Sequence, residues 1–169
     1  MSTATNKTDK ETLSQVERWL EGIVIVLMWG LFGFFMAHQQ QDTGFFTSAF
    51  GEWEKVALYA PIFIAMMAPI MRATTGQRNP GRLWDAAAKL SLSVGSLWLL
   101  ATFPFDYSHL ADVLPGNLHF VLFWITDGIA RIILLFQVII GPFGAIKGTW
   151  DYFRIRERES QEGYTHKAA

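Results

Sequence analysis

GIVIVLMWGLFGFFMA, residues 22–37, contains no charged side chain and no polar face. A soluble amphipathic helix would place polar residues on one side at 3.6-residue spacing. This run is apolar all round, so its helix needs an apolar surround. A helix over residues 19–37 measures about 27 Å at ~1.5 Å per residue, close to the hydrocarbon thickness of a bilayer. Glu21 bounds the apolar run on one side and His38 on the other.

Three further apolar runs follow, and the charges collect between them. They predict spans at about 54–71, 86–105 and 118–146. The 169-residue chain is 51% hydrophobic and 17% charged, which by itself would suit a soluble protein; the segregation does not. The expected fold class is therefore an all-α membrane protein. It is a four-helix transmembrane bundle over residues 19–149, between a polar tail (1–18) and a charged tail (150–169). The first tail is polar and no small-residue cleavage site follows the first run, so it reads as a cytoplasmic tail rather than a secretory signal. In the second tail, Arg158 and Glu162 are spaced to pair on a solvated helical extension.

Within the spans, small or flat residues recur at helical spacing. Gly33 and Ala37 mark a face of the first span. Ala57, Pro61, Ala65 and Pro69 mark the second, and Ala87, Ser91 and Gly95 the third. Such seams let helices approach closely in a bilayer. Each proline also removes a backbone donor, so the carbonyl it frees needs another partner inside a bundle. Pro142, between Gly141 and Gly144, is expected to bend or end the fourth span.

Lysine and arginine set the threading. Arg72, Arg78 and Arg82 lie between spans two and three, and Lys147, Arg154, Arg156, Arg158 and Lys167 follow span four. Residues 38–53 and 106–117 contain neither type, and only Lys55 lies at a margin. The positive-inside rule then places both termini in the cytoplasm of a cell membrane. Trp19, Trp84 and Trp150 at the inner boundary and Trp53 at the outer one agree with that placement. In the first outer loop, Phe46, Phe50 and Trp53 share a helical spacing and predict a short interfacial helix. Asn79-Pro80-Gly81 reads as a tight turn.

Candidate chemistry is sparse. No cysteine is present, which excludes disulfides, thiolate metal sites and iron–sulfur clusters, and the net charge of −1 gives no basic surface for nucleic acid. Asp127 and Arg131, four apart in the fourth span, would face each other near the membrane middle. Each costs about 2.5–3.5 kcal/mol there. Both are expected to turn into the bundle, with Gln137, Ser91, Ser93, Ser96, Thr102 or Thr126 as polar neighbours. His38, His109 and His119 all belong to the outer side, together with Asp106 and Asp112 at three-residue spacing around His109. These N and O ligands could hold a metal. His38 and His119 could bind a haem axially, and histidines at the interface suit a quinone headgroup. No cofactor is required by any motif. The leading expectation is a non-catalytic membrane subunit or scaffold, partnered by lipid and by other membrane subunits or itself. The alternatives are a redox module at the outer histidines, or a small transporter using Asp127 and Arg131.

Overall fold

The computed structural model describes residues 12–167, with side chains through residue 158. It is all-helical. Four α-helices occur among the described residues: α1 (Gln15–Gln41), α2 (Glu52–Thr75), α3 (Asn79–Thr102) and α4 (Asp127–Lys167). Two 3-10 helices, Tyr107–His109 and Gly116–Val121, lie in the connection between α3 and α4. There is no sheet among the described residues, only isolated bridges at Thr12–Gln77 and Phe46–Phe105. Residues 1–11 of the expected polar tail lie outside the described residues, as does the Glu162 side chain expected to pair with Arg158, and residues 15–18 already belong to α1.

Local signals account for the helix ends. Ser14 and Glu17 form a reciprocal capping box on α1: the Ser14 N–H donates to Glu17 Oε2 at 2.9 Å, and the Glu17 N–H to Ser14 Oγ at 3.3 Å. Asp42 ends α1 in the left-handed conformation, and Gly76 ends α2 at φ 67°. Pro80 sits in the first turn of α3, where its missing donor costs nothing. The tight turn expected at Asn79-Pro80-Gly81 is thus a helix start, and α3 begins before residue 86. It stops at Phe103, left-handed at φ 37°, and not at residue 105.

The fourth span differs most from expectation. Residues 118–126 are not α-helical; the helix begins at Asp127. It then continues through Pro142 and into the charged tail for 41 residues. At ~1.5 Å per residue that is roughly 60 Å, twice a bilayer core, so its last turns project beyond any span. The interfacial helix expected in the first loop is also absent: residues 42–51 form turns. Phe46 and Phe50 do stack, at 4.0 Å, but Trp53 stands apart in the first turn of α2 and is exposed. The aromatics of this loop satisfy one another and the facing loop, which leaves them no need of a helical scaffold.

The helices pack in chain order, α1 on α2, α2 on α3 and α3 on α4, with no comparable interface between α1 and α4. α3 is therefore the central helix, and its composition fits that place. It buries Ala86, Ser93, Gly95, Ser96 and Leu99, so its contact face is small and polar. The same residues dilute its hydropathy. The described helices long and apolar enough to cross a membrane are three, namely α1, α2 and α4.

α3 also answers the prolines of its neighbours. Pro61 removes the helical donor that would serve the Ala57 carbonyl. That oxygen lies against Gly95, where a Cβ would collide with it. Pro142 likewise frees the carbonyl of Val138, and the Ser93 hydroxyl donates to it at 3.0 Å. Close approach continues down the α3–α4 seam. A Cβ on Gly141 would come within 2.7 Å of Ser93 Cβ, and one on Gly148 within 3.3 Å of Ala86 Cβ. Gly33, by contrast, has nothing within 4 Å of a built Cβ. The seam marked at Gly95 is occupied, and the small face of α1 at Gly33 is open.

Candidate functional site

Two ends of the bundle differ in chemistry. The arginine end is knitted by ions. Arg72, from the last turn of α2, bonds Glu21 of α1 through Nε at 2.6 Å and Asp85 of α3 through Nη1 at 2.7 Å. Arg18 donates to the Ala73 carbonyl at 2.8 and 3.1 Å, and Arg78 pairs with Glu17. In the sequence Arg72 and Arg78 were legible as markers of threading but their partners were not, and Arg18 gave no signal. Glu21, Arg72 and Asp85 each flank an apolar run, so equal depth was the signal that could have joined them.

The histidine end is capped by aromatics. Phe45 is fully buried. Its ring lies 4.8 Å from that of His38, 5.4 Å from Phe105 and 5.3 Å from Tyr107. Backbone bonds tie its loop to the segment after α3: Asp106 N–H donates to the Phe45 carbonyl at 2.8 Å, and Thr47 N–H to that of Pro104 at 3.0 Å. Phe103 takes up the left-handed conformation that α3 needs in order to turn into this segment. The cap had no periodic signature, because its rings come from loops.

His38 is buried in this cap. Its Nε2 lies 3.1 Å from the Leu110 carbonyl, which can only accept, so Nε2 carries the proton. Nδ1 then accepts from the Thr43 hydroxyl at 2.6 Å. Both ring nitrogens are engaged by protein groups, and a haem or metal at His38 would have to displace one of them. His119 donates from Nε2 to the Leu114 carbonyl at 3.0 Å, within a different turn. The two histidines thus have separate carbonyl partners, four residues apart in the connection between α3 and α4. His109 pairs with Asp112 at 2.8 Å. Asp106 instead accepts from the Ser108 N–H and hydroxyl at 3.0 and 2.6 Å, which hold its carboxyl below the usual range. The hydrogen bond to Asp112 raises the His109 pKa. No group of three or more His, Asp or Glu side chains suited to a metal occurs among the described residues.

Asp127 and Arg131 are not paired in the bundle interior. Asp127 is the first residue of α4, exposed, and accepts from the Tyr107 N–H at 3.0 Å. A carboxylate there also meets the positive end of the helix dipole. Arg131 is exposed one turn on, with its guanidinium 3.6 Å over the Phe103 ring. No ion pair joins the two among the described residues. The expected mid-membrane position assumed an unbroken helix from residue 118. With the helix starting at Asp127, both charges fall at the histidine end.

Beneath the cap lies a cavity of about 350 Å³ between the four helices. That is within the range of small-molecule sites, roughly 300–1,000 Å³. Its walls are apolar, with Leu31 and Phe34 on the α1 side and Ile133 and Leu134 on the α4 side. Three polar side chains reach it: Tyr107 from the cap, Ser96 from α3 and Gln137 from α4. The Ser96 hydroxyl donates to Gln137 Oε1 at 2.6 Å. Burial, and then the charge of Asp127, push the Tyr107 phenol up to about 12, so it stays protonated. Ser96 and Gln137 were noted in the sequence only as neighbours for the charged pair; their own contact needs the α3–α4 register. No protein-family model, curated protein or solved structure matches the chain.

Proposed function

We propose that the protein is a four-span protein of the cytoplasmic membrane, with both termini in the cytoplasm, that acts as a non-catalytic subunit joined to its complex through α1. The observation that carries this reading is the state of α1: no residue of its apolar stretch is buried by the rest of the chain. Trp19 is 70% exposed and Val26 69%. α1 is held mainly at its two ends, by Arg18 and Arg72 at one and by His38 and Phe35 at the other. Between them, Phe32 meets Tyr59 and Phe63, and Gly30 and Gly33 stand open. Lipid can cover such a face, but the two glycines form a notch that a second helix fills better than acyl chains do.

Four spans require α3 to cross with the others. Its Ser93 and Ser96 are bonded within the bundle, which removes the cost of carrying them through hydrocarbon. The arginine end carries the positive residues expected of the cytoplasmic side. Extraction from native membranes in mild detergent, followed by native mass spectrometry, tests the assembly. The expected species is heavier than the 19.2 kDa monomer and is lost in Gly33→Val while the monomer remains folded. A monomer in mild detergent, unchanged by Gly33→Val, contradicts it.

A further inference from the structure

We propose that the interhelical cavity binds a neutral lipophilic molecule that carries a carbonyl-type hydrogen-bond acceptor, seated with that acceptor on the Gln137 amide. Charge comes first. None of the side chains lining the cavity is formally charged, so an ionised ligand would be desolvated without compensation. The acceptor follows from Gln137. Its Oε1 is taken by the Ser96 hydroxyl, and Ser96 is buried. That bond fixes the amide plane and leaves both Nε2 hydrogens without a protein acceptor among the described residues. A donor kept free beside apolar walls selects a ligand oxygen over a hydrocarbon.

Shape and access agree. Tyr107 marks one end of the cavity, bonded by its backbone to Asp127 at the start of α4, and Gln137 marks the other. Ten residues of helix separate Asp127 from Gln137, about 15 Å at 1.5 Å per residue. The site is therefore elongated, suited to a short chain or a ring with a tail. Leu31 of α1 and Ile133 of α4 both line it and are 41% and 45% exposed, so it can be reached from the side on which they lie. A carbonyl on an apolar body describes a quinone and also an acyl ester, and the site reads their shared chemistry.

The test uses the full chain in mild detergent, which makes it independent of how the protein is threaded. Because the chain has no cysteine, Ile133→Cys supplies a single reporter on the cavity wall, labelled with a maleimide. Three probes are compared: decylubiquinone, methyl laurate and decylbenzene, which has no acceptor. The acceptor-bearing probes should slow labelling at least fivefold more than decylbenzene, and whichever of the two protects better identifies the source. Adding Gln137→Met, similar in length but lacking the amide, should erase the preference, equivalent to about a tenfold loss of affinity. Ser96→Ala, which frees the amide to turn, should weaken it in the same direction and serves if the first variant fails to fold. Equal protection by all three probes, or protection by none, overturns the proposal.

Discussion

His109 shows how a residue's chemistry depends on its immediate neighbour. As a loop histidine it suggested a metal ligand; in the fold its Nδ1 is committed to Asp112. That bond raises its pKa above the ordinary 6.5. A group whose folded pKa is raised adds stability below its unfolded pKa and loses it as pH rises through the folded value. Histidine NMR should therefore find His109 titrating above 6.5, and Asp112→Asn should return it toward that value. The pair's contribution should be present at pH 5 and be lost as pH rises through the folded value. A midpoint unaffected by Asp112→Asn would contradict the pairing. His38 was legible as a residue at the end of an apolar run, but not as a structural one. Its partners, Thr43 and Leu110, are supplied by loops, and one lies 72 positions away in sequence.

Among the elements, α3 decides how the prolines are tolerated. The sequence states that Pro61, Pro69 and Pro142 free carbonyls; it does not state which neighbour answers them. Ser93 answers for Val138, and this gives a test in two substitutions. Ser93→Ala should destabilise the bundle by about 1–2 kcal/mol, the cost of an unpaired buried carbonyl. In a Pro142→Ala background the helix recovers its own donor to Val138, and Ser93→Ala should then cost little. Thermal unfolding in detergent measures both, and equal costs in the two backgrounds would contradict the compensation. Gly95 gives a second test. Gly95→Val meets the Ala57 carbonyl and should cost upwards of about 2 kcal/mol, whereas Gly33→Val, facing open space, should change monomer stability by less than about 0.5 kcal/mol. The seam at Gly95 was legible from four-residue spacing. The glycines of α4 were obscured by Pro142, which resembled a stop although the helix passes through it.

At the scale of the whole molecule, segregation of charge from apolar runs was enough to find the helical class and the approximate place of each long helix. What it missed lies between the helices. The start of α4, the loop that replaces an interfacial helix and the aromatic cap all depend on contacts distant in sequence. Those contacts moved Asp127 and Arg131 from mid-span to the histidine end and revealed the cavity. The threading itself is the central claim, and α3 is its least apolar part. Single cysteines placed in the cysteine-free chain test it in intact cells with an impermeant maleimide. Asn117 and Gln77 are both exposed and lie at opposite ends of the bundle. Asn117→Cys should label in intact cells, and Gln77→Cys only after the membrane is permeabilised. Labelling of both in intact cells would contradict the four-span arrangement, and labelling of Gln77→Cys alone would invert it.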